Sequence, residues 1–159
     1  MKTTILTLCT TLCATVAGAE AHMDMLSGDP ASGEAQFNRQ CVACHVVQND
    51  AGETLAGRNA QTGPNLYGVA ARTIGGLEGF RYSDALAAAG ADGAVWTEAH
   101  FVAYVQDPTG WLRDFTGDDR ARSKMSYRVR DEGEAADIYA FLAQYSDGAA
   151  VMEAEEASE

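Results

Sequence analysis

Arg39 to Val47 read RQCVACHVV: two thiols three positions apart, Cys41 and Cys44, with an imidazole, His45, directly after them. Thiols add across vinyl groups to give thioethers. A two-residue spacer lets one turn of chain reach both vinyls of a porphyrin, and the adjacent imidazole then falls on the iron. The stretch is therefore read as the attachment site of one covalent haem c, with Cys41 and Cys44 as anchors and His45 as proximal ligand. Three other chemistries share part of the pattern. A thioredoxin-like redox pair needs a strand–helix setting that the flanking residues do not offer. A zinc cage needs more donors than one thiol pair in a chain with three histidines in all. A plain disulfide stays open.

On the far side of the iron the candidates are His22, His100, Met125 and Met152. His22 lies near the N-terminus, His100 opens an amphipathic stretch, and Met152 sits in an acidic tail. Met125 lies in an irregular segment beside a basic window and is the expected ligand, although a methionine taken alone is more often core filler. A Met/His pair leaves no open coordination position and raises the reduction potential. Such an iron passes one electron and does not readily bind a substrate, so a carrier is expected and not an enzyme. A peroxidase-like protein would need the methionine absent or easily displaced.

The elements that must hold these residues read as helices between glycine-rich loops. Asp29 caps a first helix with Pro30 at its first position, and this helix runs into Cys41. Val46 to Gly63 reads as a long loop. Tyr82-Ser83-Asp84 opens a short helix to Ala89, and Thr97 caps another from Glu98 to about Gln106, ended by Pro108. Thr109 to Tyr127 reads as irregular. The last helix starts near Asp131, with Glu134 completing a capping box and Ala135, Ile138, Leu142 and Tyr145 at helical spacing. Nothing argues for a substantial sheet, so the class expected is all-α, three to five helices. A chain so rich in loops needs something large and apolar at its centre, which a haem would supply.

Residues 1–19 read as a secretory signal peptide: Lys2, an apolar run from Ile5 too short to span a bilayer, and small residues ending at Ala19, with Ala21 as the alternative cut. Its removal takes Cys9 and Cys13 and leaves a domain over 20–145 and an acidic tail over 146–159. A soluble periplasmic monomer without membrane insertion is expected. The formal charge of −12 becomes −13 once Lys2 is gone, which argues against nucleic acid. The charge is uneven: Arg120, Arg122, Lys124, Arg128 and Arg130 share an eleven-residue window without an acid, and nine acids without a base follow from Asp131. That asymmetry is expected to steer an acidic partner onto the basic window.

Six segments in order, GEAQFNRQCVACH, TGPNLYGVAART, GFRYSDA, WTEAHFVAYVQDP, SKMSY and DIYAFLAQY, carry a family likeness from Gly33 to Tyr145. The chain resembles class I c-type cytochromes, in particular the long-loop bacterial cytochrome c2 group. The resemblance implies the small class I cytochrome c fold wrapped around one haem. It implies that the Pro64 carbonyl accepts the proton of His45, that Arg72, Tyr82 and Trp96 partner a buried haem propionate, and that Tyr104 touches the sulfur of Met125. It implies Gly33 and Phe37 against Ile138 and Phe141 where the first and last helices cross. The partners implied are redox proteins: a cytochrome bc complex, a cytochrome oxidase, a photosynthetic reaction centre or a denitrification reductase. Extra residues between His45 and Pro64 and between Trp111 and Met125, and the overall acidity, depart from the short mitochondrial form.

Overall fold

The computed structural model of the chain describes residues 26–146. The leader expected over 1–19, His22, Met152 and the acidic tail beyond Ser146 lie outside the described residues.

Asp29 is an extended N-cap whose carboxylate accepts from Ser32 N at 2.6 Å, and Pro30 follows at the first helical position. This starts α1, Pro30–Gln40, whose C-cap is Cys41. Asp131 caps α5, Glu132–Ala143, in the same way, accepting from Glu134 N at 2.9 Å. The two helices cross at glycine. A Cβ at Gly33 would overlap the Asp137 carbonyl oxygen and stand 2.8 Å from Phe141 Cβ, so the close approach requires that residue. Below the crossing, Phe37 meets Phe141 at 5.5 Å between ring centroids, and Ile138 is buried. Full burial of a side chain such as Phe37 contributes about 1.5–3 kcal/mol. The pairing implied by the family resemblance is the one that forms.

The loop expected after Val46 contains a small hairpin: β1, Val46–Gln48, pairs antiparallel with β2, Thr54–Gly57. The Asn49 side chain folds its turn, accepting from Ala51 N and Glu53 N at 3.1 and 2.9 Å. Strands this short leave too little alternation to read.

α2, Asp84–Ala89, starts at Ser83, and α3, Glu98–Gln106, starts at Thr97. The segment expected to be irregular after Pro108 instead begins with α4, Pro108–Thr116. Pro108 ends α3 but also opens α4: its fixed φ suits a first helical position, and Asp107 caps the new helix by accepting from Gly110 N at 3.2 Å. Gly117, at φ 66°, closes it in the left-handed conformation. Trp111 and Phe115, four apart, stack at 4.5 Å on one face of α4.

Among the described residues, five helices and one hairpin surround a core that runs from Phe37 through Trp96, Tyr104 and Leu112 to Leu142. Among the described residues no helix is long and apolar enough to cross a membrane.

Candidate functional site

The end of α1 does not unwind at once. Cys44 N and His45 N both donate to the Cys41 carbonyl, at 3.0 and 2.9 Å, so one further turn carries the two thiols and the imidazole. Cys41 is half-buried and Cys44 is exposed, and the two are not joined as a disulfide. Burial pushes the Cys41 thiol up to about 12, with Cys44 beside it adding to the rise.

The His45 ring is held from two sides. Its Nδ1 donates to the Pro64 carbonyl at 2.9 Å, which leaves Nε2 with the lone pair. Gly63 N donates to Cys44 O at 2.7 Å and lays its bare Cα face against the ring; a Cβ there would stand 2.6 Å from Nδ1. Burial lowers the His45 pKa, against the opposing effect of the Pro64 carbonyl, and so favours the neutral imidazole that a metal requires.

Arg72 is the other half-buried cation of this side. Its Nη1 and Nη2 donate to the carbonyls of Tyr67 and Asn65 at 3.0 and 3.1 Å, while its Nε is buried with no protein partner. Burial lowers its pKa, and nearby Tyr82 opposes that shift. Tyr82 is itself raised by burial, with Arg72 pulling the other way. Trp96 is tied to the Arg72 segment by backbone bonds, Trp96 N to Arg72 O and Ala71 N to Trp96 O, both 2.9 Å. These bonds hold Ala71 at φ 61°, a left-handed conformation that costs a side-chain-bearing residue about 1–2 kcal/mol. Two thiols, an imidazole with Nε2 available and an unpaired buried guanidinium N–H fit a porphyrin with an acidic substituent. Among the described residues no group of three or more His, Cys, Asp and Glu side chains converges as a separate metal cage would need.

Met125 is half-buried against the core. Tyr104, on α3, turns its hydroxyl to Ser123 Oγ at 2.8 Å, and Met125 N donates to the same oxygen at 3.0 Å. Tyr104 thus reaches Met125 through Ser123. His100 is occupied elsewhere: its Nδ1 lies 3.0 Å from the Val95 carbonyl, and its ring packs edge-on against Trp111 and Phe115.

The basic window is exposed. Arg120, Arg122 and Lys124 line a groove of about 710 Å³, and Arg81, which sequence reasoning missed, lines its opposite wall beside Ser83. Lys124 bridges the two walls through a 2.7 Å bond to the Arg81 carbonyl. Arg128 pairs with Asp107 at 2.8 Å, which reduces its availability, while Arg130 is exposed. Gly63, Ser123 and Gln40 were also missed. All three adjoin recognised residues, but glycine, serine and glutamine give no chemical signal of their own.

No family model matches the chain. Among known proteins it is 61% identical over 118 residues to the cytochrome c2 of Rhodovulum adriaticum, which covers 74% of this chain and 93% of that one. It is 51% identical over 118 residues to the cytochrome c2 of Cereibacter sphaeroides, covering 74% and 94% respectively. Among solved structures, cytochrome c2 from Rhodobacter sphaeroides superposes with a TM-score of 0.73 at 49% identity, over 76% of this chain and 98% of that one. Ferric cytochrome c-550 from Paracoccus versutus superposes with a TM-score of 0.70 at 43% identity, over 76% and 100%.

Proposed function

Since this chain belongs to the cytochrome c2 family, with the class I cytochrome c fold and one covalently bound haem c, we propose that it is a periplasmic one-electron carrier, exported by the signal peptide at 1–19. The haem, when bound, supplies a reversible one-electron couple. Cys41 and Cys44 would hold it covalently, His45 and Met125 would ligate its iron, and Arg72 with Tyr82 and Trp96 would meet an acidic substituent. The observation that carries the reading is the His45 Nδ1–Pro64 contact at 2.9 Å, because it leaves Nε2 as the ring nitrogen able to ligate a metal, beside the two cysteine sulfurs.

This chain's residues do three things. The Pro64 carbonyl keeps the proton on Nδ1 of His45, so electron transfer need not move it. Met125 would supply a second protein ligand to the iron, which would leave no position for substrate or water. The unpaired Arg72 Nε supplies a donor for a buried acidic group, offsetting part of the cost of its desolvation. The electron passes to and from a cytochrome bc complex and a terminal redox protein that meet the basic groove as acidic surfaces.

Absorption spectra of the purified holoprotein in both oxidation states test this. Thioether-linked haem and a far-red sulfur-to-iron band in the ferric state are expected. Colourless protein would overturn the haem reading, and a coloured protein that binds cyanide rapidly and lacks the band would turn the reading toward an enzyme.

A further inference from the structure

Two residues beyond Met125, Tyr127 stands exposed, yet its hydroxyl donates to Gln40 Oε1 at 3.0 Å. The partner is 87 positions away, at the last position of α1 and directly before Cys41. Gln40 is itself fixed. Its Nε2 donates to Glu134 Oε2 at 2.9 Å and to Gln36 Oε1 at 2.8 Å. A carboxylate only accepts, so the Gln40 amide must turn its nitrogen to Glu134 and its oxygen outward. That oxygen then needs a donor, and Tyr127 is one. Glu134 also pairs with Arg39 at 3.6 Å, and its backbone N is held by the Asp131 cap. The carboxylate expected to close a capping box at the start of α5 is thus spent on α1.

The polar chain runs in one direction, from Tyr127 O–H to the Gln40 amide to the Glu134 carboxylate. Its far end is the α1–α5 contact, the most extensive helix packing in the fold. Its near end is a segment that side chains tether between Ala121 and Val129.

Resting on the reading of Met125 as axial ligand, we propose that Tyr127 is a positioning residue: through Gln40 it fastens the Met125 loop to the α1–α5 crossing and so keeps the methionine on the iron. A loop that opens less often exposes the sixth coordination position less often, and an external ligand then binds in proportion to the open fraction. One exposed hydrogen bond is worth enough to change that fraction by about three- to fivefold.

The test uses ferric holoprotein titrated with imidazole at fixed pH, following loss of the far-red band. Tyr127→Phe keeps the ring and removes the hydroxyl. It is expected to retain the band without imidazole and to bind imidazole about three- to fivefold more tightly. Gln40→Met is expected to do at least as much, and the double variant no more than Gln40→Met alone. Unchanged imidazole affinity in Tyr127→Phe, or single effects that add in the double variant, would overturn the inference while leaving Met125 in place. A wild-type protein without the band would remove the ligand assignment and this inference together.

Discussion

The two residues proposed as iron ligands sit in different kinds of structure. His45 is built into a backbone frame: a continued helical turn to Cys41, the Gly63 N–Cys44 O bond, the Pro64 carbonyl on its ring, and Leu66 N on Val46 O at 2.9 Å behind it. Met125 lies in a segment fastened by side chains: Ser123 to Tyr104, Ser123 N to Thr109 Oγ1 at 3.3 Å, Lys124 to Arg81, and Tyr127 to Gln40. Backbone bonds in a frame are lost together. Side-chain tethers are lost one at a time, each worth about 1 kcal/mol. On the proposed ligation, the histidine side would hold the cofactor and the methionine side would adjust its chemistry.

The largest effects test that division at the ligands. His45→Ala should yield no stable holoprotein, because the residue is both ligand and the focus of the frame. Met125→Ala should remain coloured and folded, lose the far-red band entirely, and bind cyanide at least 100-fold more tightly, because no loop opening then precedes binding (about 2.7 kcal/mol or more by the standard conversion). Spectra and cyanide titration of the two purified variants check both statements. Equal damage from the two substitutions would contradict the difference between the sides.

One step outward, Gly63→Ala and Ser123→Ala make the same comparison. The new methyl of Gly63→Ala meets an imidazole that Pro64 prevents from moving, so overpacking of about 1–3 kcal/mol is expected in denaturant unfolding, with a disturbed His45 environment. Ser123→Ala leaves the buried Tyr104 hydroxyl and Met125 N short of a partner, costing about 1–2 kcal/mol. Its mark should be easier displacement of the band by imidazole, with the His45 side intact.

Alkaline pH acts on the methionine side through Tyr104. Burial raises the Tyr104 pKa above the usual phenol value, with Ser123 opposing and Tyr82 adding to the rise. A phenol that holds its proton more tightly when folded contributes stability fully below pH 10, and that stability is lost as pH rises through the folded pKa. Unfolding midpoints measured from pH 9 upward should fall more steeply in the wild type than in Tyr104→Phe, and the variant should lack one late-titrating tyrosinate absorbance.

What could be read in the sequence follows the same divide. Cys41, Cys44 and His45 announce themselves because their chemistry is in their residue types and spacing. The caps Asp29, Ser83, Thr97 and Asp131 were legible because each acts on its own neighbours within three residues. Pro108 was read as a stop and not also as a start, since the same fixed φ serves both and only Asp107 before it tells them apart. Arg72, Trp96 and Pro64 came from family likeness, because the roles expected of them depend on where a side chain or a carbonyl ends and not on residue type. The Tyr127–Gln40–Glu134 chain left no mark in the sequence: its members are 87 and 94 positions apart, and each alone is ordinary surface.

The smallest effect concerns the groove beside the methionine loop. Arg81, Arg120 and Arg122 are exposed, and exposed charges interact weakly over contact distances but add over long ones. Their expected role is in the rate of encounter with an acidic partner and not in stability. Arg122→Gln should slow reduction by a quinol–cytochrome c oxidoreductase by about two- to threefold at low salt, leave the unfolding midpoint unchanged, and converge with the wild type as salt rises to about 0.5 M, where charges more than a few ångströms apart are screened. Arg128→Gln should have a smaller effect, because its guanidinium is already paired with Asp107. Stopped-flow rates across a salt series distinguish the two variants. If Arg128→Gln slowed the reaction more than Arg122→Gln, the docking face would lie on the α3 side of the loop and not at the groove.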